Sequence, residues 1–231
     1  LIGKGITRFH AFYWPAFLLS AKLPLPKSLL VHGYVTINGQ KMSKTVGNIV
    51  DPFLLVARYG TDPLRYYFLR EIPSDGDGDF SEAKLVERYN GELADGLGNL
   101  VARVATLGDN ISPLEFDFGR DLLVNVREAT PAAFANYERA FAAFRLNEAV
   151  AEVWRLISFT DRYLSAAQPW KVNNQAELRK IIANAGYLVS AVANLLRPFL
   201  PDTADRIQEQ IRFSDSALEI KRGAVLFPRL G

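Results

Sequence analysis

The 231 residues of this chain are enough for one large domain or two small ones, and an apolar content of 49% is ordinary for a protein with a core. The absence of cysteine excludes disulfide bonds, a thiol nucleophile and cysteine-ligated zinc, and two histidines leave little material for any metal site. A net charge of +2 is too small to indicate nucleic-acid binding by itself, although a pI near 8.8 permits a local basic face. No apolar run reaches about 18 residues, so the sequence predicts no membrane-spanning helix, and the lack of cysteine fits a cytoplasmic protein.

The chain begins at Leu1 without an initiator methionine, and we interpret it as a piece of a longer protein. Its first predicted element is a helix from Thr7 to Ser20, where apolar residues recur at helical spacing. His10 and Trp14 are four residues apart and therefore share one face of this helix. Two interpretations stay open for them: a packed core pair with one satisfied hydrogen bond, or the lining of a binding site.

A strand is predicted from Leu29 to Ile37, with His32 inside it, and a loop follows from residue 38 to residue 48. Gly39 and Gly47 bound this loop, so its backbone can bend and move. The loop contains no acid, and its lysines and hydroxyls are Lys41, Ser43, Lys44 and Thr45. Two ammonium groups on such a loop suit a triphosphate that changes charge during a reaction, and the alternative is a solvated basic hairpin.

Two short helices are predicted next, from Asp51 to about Arg58 and from Thr61 to about Glu71. The stretch from Pro73 to Asp79 is typical of a solvated turn. Its alternating acids resemble a calcium loop, but Phe80 stands in place of the required glycine and Val86 in place of the required glutamate. The pattern therefore argues against calcium.

From Ser81 onward, long apolar stripes joined by short breaks predict an antiparallel helix bundle. The first helix would run to about Leu107, and the others would cover Arg120 to Phe144 (interrupted or capped at Thr130-Pro131), Leu146 to Ala167, Gln175 to Arg197 and Thr203 to Ile211. The positions expected to face inward are Leu85, Tyr89, Leu93, Leu97, Leu100, Val104 and Leu107 in the first helix, Leu146, Val150, Val153, Ile157 and Leu164 in the third, and Leu178, Ile182, Ala185, Val189, Val192 and Leu196 in the fourth. The tail after Glu219 is loosely patterned.

Polar residues lie off the apolar stripe of the first bundle helix. Asp95, Asn99 and Arg103 are spaced four apart and form one ridge, which is either a solvated face or a set of groups that read unpaired bases. Trp170 follows Pro169 at a helix break, where an exposed indole could stack on a base; otherwise it is a packing anchor.

Several segments, in this order along the chain, resemble methionyl-tRNA synthetases, a family of class I aminoacyl-tRNA synthetases. The segments are Gly3-Lys4-Gly5-Ile6-Thr7-Arg8-Phe9-His10 with Trp14-Pro15-Ala16, Val31-His32-Gly33-Tyr34-Val35-Thr36, Lys41-Met42-Ser43-Lys44-Thr45, Asn48-Ile49-Val50-Asp51-Pro52, Gly98-Asn99-Leu100-Val101-Ala102-Arg103 and Gln168-Pro169-Trp170. The resemblance implies part of a methionine–tRNA ligase, which activates methionine with ATP as its Mg²⁺ complex and transfers it to tRNA(Met).

The resemblance also implies roles for individual residues. Lys41 and Lys44, assisted by Ser43 and Thr45, would stabilise the leaving pyrophosphate. ATP would further contact Gly3, His32 and Val35, and methionine would lie among Ile6, Phe9, His10 and Trp14. The family has Asp where this chain has Gly5, which puts ribose binding at that position in question. Asn99, Arg103 and Trp170 would read the anticodon, and the role of Asp95 stays open.

The same resemblance implies a mainly α fold in three parts. Residues 1–50 would be the end of a Rossmann-like α/β catalytic domain with the signature loop, residues 51–80 a connecting segment that contacts the tRNA stem, and residues 81–231 the anticodon-binding bundle. An N-terminal catalytic half is the expected partner, and without it we expect no catalysis. The alternatives are a tRNA-binding module without chemistry of its own and a sister synthetase for an aliphatic amino acid or cysteine.

Overall fold

The computed structural model describes residues 1–37, 39–42, 47–213 and 217–231. Strand β1 (Ile2–Gly3) leads through a 3-10 turn, Lys4–Ile6, into wide helical turns at Phe9–Tyr13 and then helix α1 (Trp14–Ser20). The predicted helix is therefore in the expected place, although its first half is wider than an α-helix. None of its residues is buried.

Two small sheets replace the single strand that the sequence predicts between Leu29 and Ile37. Strand β2 (Val31–His32) pairs in parallel with β1, whereas β3 (Val35–Ile37) lies between β4 (Gln40–Lys41), which is antiparallel to it, and β5 (Gly78–Phe80), which is parallel. The run breaks at Gly33 because another backbone crosses there: a Cβ at this position would be 2.0 Å from the carbonyl oxygen of Gly76. Strand β5 also corrects the prediction of a plain turn up to residue 79.

Helices α2 (Pro52–Tyr59) and α3 (Thr61–Glu71) follow the predicted bounds closely. The Asp51 carboxylate caps α2 by accepting from the backbone N–H of Phe53 at 2.8 Å. Two adjacent residues of α3 point into different cores. Tyr66 belongs to the large core, which is otherwise built from residues after position 88, and Tyr67 belongs to a smaller core. The smaller core consists of Leu55, Tyr59, Leu64, Tyr67, Phe80 and Leu85.

One long helical rod begins the C-terminal part of the chain. It comprises α4 (Glu82–Arg88), wide helical turns at Tyr89–Gly98, and α5 (Asn99–Gly108). Its buried residues Leu85, Tyr89, Leu93 and Leu97 repeat every fourth residue, which is longer than the 3.6-residue α-helical period. The wide turns keep this stripe on one side of the rod, as the sequence predicts.

Helix α6 (Val124–Ala142) differs from its prediction in two respects. It begins four residues later than expected because the segment before it is held apart: the side-chain oxygen of buried Asn184 accepts from the backbone N–H of Leu123 at 3.0 Å. It also passes through Pro131 without interruption, so the predicted break is wrong. The proline ring faces solvent, and the helix packs on its other side against α7.

Helices α7 (Leu146–Ala167), α8 (Gln175–Leu196) and α9 (Pro201–Gln210) complete the helical part. The positions expected to face inward on α7 and α8 are buried, except that Leu146 and Leu178 are half-buried at the edge of the core. The expectation of a mainly α chain is confirmed. No helix of the described ranges combines the length and the apolar character that crossing a membrane requires.

The sequence gives no indication of the three-stranded antiparallel sheet near the C-terminus. Strands β6 (Leu114–Glu115), β7 (Ile211–Phe213) and β8 (Ala217–Ile220) are ordered β6-β8-β7. The sheet reaches the helices through two glycines, because a Cβ on Gly108 would be 2.6 Å from Ile220 and one on Gly186 would be 2.5 Å from Leu218. The predicted last helix accordingly ends at Gln210, and Ile211 enters the sheet.

Candidate functional site

Lys41 lies at the end of β4, paired in register with Thr36. Its ammonium group is 4.7 Å from the centre of the Tyr34 ring, within the range of a cation–π contact. Of the other residues predicted to act on the phosphates, Ser43, Lys44 and Thr45 lie outside the described residues. Their predicted role stays a prediction.

A second lysine shares the Tyr34 ring. The Lys4 ammonium is 5.7 Å from its centre and forms an ion pair with Asp77 at 3.3 Å. The Asp77 carboxylate accepts the backbone N–H of Tyr34 at 2.8 Å, and this hydrogen bond, together with Lys4, lowers the pKa of Asp77. Sequence reasoning missed Lys4 and Asp77, because nothing local relates residues 73 positions apart.

The base of the loop is fixed by Asp79 on β5. One carboxylate oxygen accepts from the backbone N–H of Gly39 at 2.8 Å and from the Thr36 hydroxyl at 2.7 Å. Two hydrogen bonds to a charged acceptor fix the point where the loop leaves the sheet. This residue was also not singled out from the sequence.

The residues predicted to contact the nucleoside lie on neighbouring strands. Gly3 pairs with His32 across the β1–β2 ladder, and the His32 Nδ1 atom is 2.9 Å from the carbonyl oxygen of Gly33. His32 is exposed, and Val35 starts the next strand. A Cβ on Gly5 would be 3.0 Å from the Tyr34 hydroxyl, so this hydroxyl lies where a side chain at position 5 would begin.

The four residues predicted to bind methionine lie together on one ridge. Ring centroids are 5.5 Å apart for Phe9 and His10 and 6.0 Å apart for His10 and Trp14, and both pairs meet edge to face. The His10 Nδ1 atom is 3.0 Å from the carbonyl oxygen of Ile6. None of the four is buried, so they do not form a packed core pair within the described part of the chain.

Two of the predicted anticodon readers meet in space. The Arg103 guanidinium lies over the Trp170 ring, 5.8 Å from its centre, and is ion-paired to Asp161 on α7. Trp170 lies in the turn Pro169–Lys171 and is 54% exposed, unlike a packing anchor. Asn99 is exposed one turn before Arg103 on the same rod.

Asp95, whose role the sequence leaves open, is paired with Arg229 at 3.0 Å. Asp161 and Arg229 were not predicted, because their partners are 58 and 134 positions away. Within the described ranges, no three His, Asp or Glu residues converge as metal ligands would.

Two family models match separate parts of the chain. Residues 1–105 match a family model described as tRNA synthetases class I (M), and residues 123–226 match one described as the anticodon binding domain of methionyl tRNA ligase. The methionine–tRNA ligase of Bacillus subtilis is 36% identical over the whole chain, which corresponds to 38% of its own length. That of Thermotoga maritima is 38% identical over 93% of the chain and 35% of its own length.

A solved structure of Mycobacterium tuberculosis methionyl-tRNA synthetase in complex with methionyl-adenylate superposes with a TM-score of 0.89 at 30% identity. The superposition covers 99% of this chain and 49% of that one. This chain therefore spans well under half the length of the curated relatives named above. Together, the two family models, the relatives and the superposition show that the chain belongs to the methionyl-tRNA synthetase family.

Proposed function

We propose that this chain supplies the signature loop and the anticodon-binding part of a cytoplasmic methionine–tRNA ligase. In this proposal residues 1–50 end a Rossmann-like catalytic domain, residues 51–80 connect it to the RNA-binding part, and residues 81–231 form an antiparallel anticodon-binding bundle. The reaction is activation of methionine by ATP with Mg²⁺, followed by transfer to tRNA(Met). The remaining length found in the relatives would supply the rest of the nucleotide site.

Catalysis at the loop rests on charge. When methionine attacks the α-phosphate of ATP, negative charge develops on the departing pyrophosphate. Lys41 and Lys44 are cations on a loop whose base is fixed by Asp79, and Ser43 and Thr45 add hydroxyl donors. Cations placed in advance stabilise the transition state more than the ground state. The contact of Lys41 with Tyr34 is one that the ammonium would give up for a phosphate.

The substrate pocket rests on the ridge of Ile6, Phe9, His10 and Trp14. Its aromatic edges suit a thioether, since sulfur packs well against ring edges. Gly3, His32 and Val35 would border the adenosine. Because these side chains are exposed or only half-buried, the remainder of the enzyme would have to close the pocket around its ligands.

One observation carries the RNA-binding proposal: the Arg103 guanidinium lies over an exposed Trp170 ring. An indole with a free face can stack on an unpaired base, and an adjacent guanidinium can donate to a base edge or a phosphate. Asn99, one turn away, adds an amide that can pair with a base edge.

The test measures binding of a CAU-anticodon stem-loop to this chain by fluorescence anisotropy at fixed salt. Stacking of one base on an aromatic ring is worth about 1–3 kcal/mol, so Trp170→Ala should weaken binding by roughly fivefold or more. It should also reduce the preference for CAU over a scrambled loop. Trp14→Ala removes the same side chain from the methionine ridge and is the matched control, with unchanged RNA binding expected.

If folded Trp170→Ala, checked by circular dichroism, binds and discriminates like the wild type, the anticodon assignment is wrong.

The alternative of a tRNA-binding module without chemistry has one observation in its favour: every buried residue of the described ranges lies beyond residue 50. A sister synthetase has none, since each relative named above is specific for methionine by name.

A further inference from the structure

An open groove of about 610 Å³ runs along the exposed side of α7, beside the C-terminal end of α3. The anticodon assignment does not use it. Its lining residues are Arg70, Glu92, Ala151, Trp154, Arg155, Ser158 and Arg162. The groove lies open to solvent, so it suits an extended chain better than an enclosed small molecule.

The charge in this groove is positive, because three arginines face one glutamate. That glutamate, Glu92, is already neutralised: it accepts from the Tyr66 hydroxyl and pairs with Arg88 at 2.7 Å and Arg70 at 3.4 Å. Arg155 is exposed and, among the described residues, pairs only with the largely buried Glu152 on the same helix, through one guanidinium nitrogen, which leaves its other N–H groups for a ligand. Arg162 has no carboxylate partner among the residues that the structure describes.

The groove also has more donors than acceptors. The indole nitrogen of Trp154 and the Nε of Arg70 meet no acceptor in the described part of the chain, but both atoms are buried, so the donors that the groove offers a ligand are the exposed guanidinium groups. Trp154 is held in place by stacking on Tyr66, with centroids 4.4 Å apart. The exposed Ser158 hydroxyl lies between the two α7 arginines. A surface of this kind complements a ligand that is negatively charged and rich in acceptors.

The position of the groove relates it to the candidate anticodon pair. Arg155, Ser158 and Arg162 share one face of α7, and seven residues of helix extend about 10 Å. At one end of this row, Asp161 pairs with Arg103, which lies over Trp170. At the other end, Trp154 and Arg70 join α7 to α3.

We propose that this groove binds the backbone phosphates of the RNA strand next to the anticodon, with Arg155 and Arg162 as the principal contacts. The inference rests on the proposed anticodon binding, because an anticodon bound at Trp170 and Arg103 would lead the adjoining RNA strand along the groove. Phosphate contacts position an RNA without reading its bases. The groove therefore contributes affinity and register, while Trp170 and Arg103 contribute sequence preference.

The test compares the wild-type chain with Arg155→Gln, Arg162→Gln and the double variant at several salt concentrations. The probes are the CAU stem-loop, the same stem with a scrambled loop, and the loop nucleotides without the stem. Each lost phosphate contact should reduce the slope of log K against log salt by about 0.7–0.9, so the advantage of the wild type over a single variant should shrink about threefold between roughly 50 and 200 mM salt. Arg162→Lys keeps the charge and should keep most of the slope.

The matched control is Arg197→Gln, which removes an exposed, ion-paired arginine that does not line the groove. It should leave affinity and slope unchanged. We expect the groove variants to lose equally on CAU and scrambled stem-loops and to lose little on the stemless loop. The proposal is wrong if the folded double variant keeps the slope and affinity of the wild type, or if the loss of affinity depends on the loop sequence. It is also wrong if polyaspartate, an acidic polymer without phosphates, competes with the stem-loop as well as RNA does.

The same data separate this proposal from the anticodon assignment. If the wild type binds both stem-loops equally, the anticodon assignment is wrong, but the comparison of salt slopes between the wild type and the groove variants still tests phosphate binding in the groove. If discrimination is lost only in Trp170→Ala and the slope changes only in the groove variants, both are supported. If the wild type binds no RNA, both are wrong.

Discussion

Trp170 is exposed because the turn before it leaves the indole no place in the core. Gln168 adopts a left-handed conformation with φ 43°, and Pro169 is the residue of this turn that is buried. Arg103 is restrained on two sides, by the ring and by Asp161. Side chains that are already ordered lose less entropy when a ligand binds, so this pair is well prepared for a base.

At the loop, Lys44 gives the sharpest prediction for catalysis. In the complete synthetase, Lys44→Ala should slow methionine-dependent ATP–pyrophosphate exchange by roughly 2.7–4 kcal/mol in activation free energy, about a hundred- to a thousandfold, because one transition-state donor is lost. Methionine affinity should barely change, since the lysine contacts only the phosphates in the proposed mechanism.

The control for this prediction is Lys27→Ala, which removes an exposed lysine that has no proposed role. Normal turnover with weakened methionine binding in Lys44→Ala would contradict the phosphate assignment. Running the wild-type exchange with leucine or isoleucine in place of methionine tests the amino-acid specificity in the same assay.

Single residues differ in how far the sequence could predict them. Trp170 is only partly predictable: Gln168-Pro169 breaks a helix immediately before it, which allows an exposed indole or a packing anchor, and the structure shows the exposed one. Asp77, Asp79 and Asp161 are not, because each acts on a partner at least 40 positions away. Their positions depend on how the strands and helices pack, which local spacing does not contain.

At the level of elements, α6 shows a helix that tolerates an interior proline. Pro131 cannot donate to the carbonyl of residue 127, and its ring crowds the preceding turn. The helix persists because its other face, with Val126, Thr130, Ala133 and Tyr137, is buried in the bundle. Tertiary packing thus outweighs a local cost of about 3 kcal/mol relative to alanine.

This cost can be measured. Pro131→Ala should restore the missing backbone hydrogen bond, and because the position is exposed it leaves no cavity. We expect the free energy of unfolding to rise by about 1–3 kcal/mol, less than the full propensity difference because alanine also frees the unfolded chain. Urea unfolding followed by circular dichroism measures the change.

Pro201→Ala provides the comparison, since Pro201 is the first residue of α9, where no hydrogen bond is lost and proline is favoured. It should leave stability unchanged or lower it slightly. A Pro131→Ala variant no more stable than the wild type would show that α6 is already distorted to accommodate the ring.

Helices and strands could be predicted from the sequence where their pattern of apolar residues is long, and not where it is short. On α8, Ile182, Val189 and Val192 belong to a repeat sustained over about six turns, which local periodicity detects. Strands β7 and β8 have three and four residues, too few for a period, and β8 lies close to the helices where Gly108 and Gly186 leave room for Ile220 and Leu218. The break in the strand at Gly33 has the same origin, a close backbone approach that only the fold reveals.

Across the whole molecule, α3 joins the two cores and is anchored to the far end of the chain. The buried Asp62 carboxylate accepts from the backbone N–H and the hydroxyl of Thr203, both at 2.7 Å, at the start of α9. Arg65 donates to the carbonyl oxygens of Pro198 and Phe199. These contacts join α3 to the start of α9. Every buried residue of the described ranges lies beyond position 50, although Val35 and Ile37 of β3 pack against the smaller core.

Hydrogen exchange should distinguish the buried core from the exposed N-terminal residues directly. Amides of α7, α8 and α3 should be protected up to the global free energy of unfolding, on the order of 5–15 kcal/mol, because they open only when the common core opens. Amides from Ile2 to Ser20 should exchange far faster, since two-residue ladders and exposed helical turns can open without disturbing that core. Exchange followed by mass spectrometry on peptides measures both.

Asp62→Ala tests whether the contact between α3 and the start of α9 stabilises both helices together. Removing a buried carboxylate that satisfies two donors should lower the protection of α3 and α9 together, by about 1–3 kcal/mol or more, because Thr203 is left with unpaired donors. Ser20 and the residues before it should exchange as they do in the wild type. Slow exchange throughout residues 2–20 of the wild type would show that this segment is stabilised without buried side chains, and the expectation of fast exchange there would then be wrong.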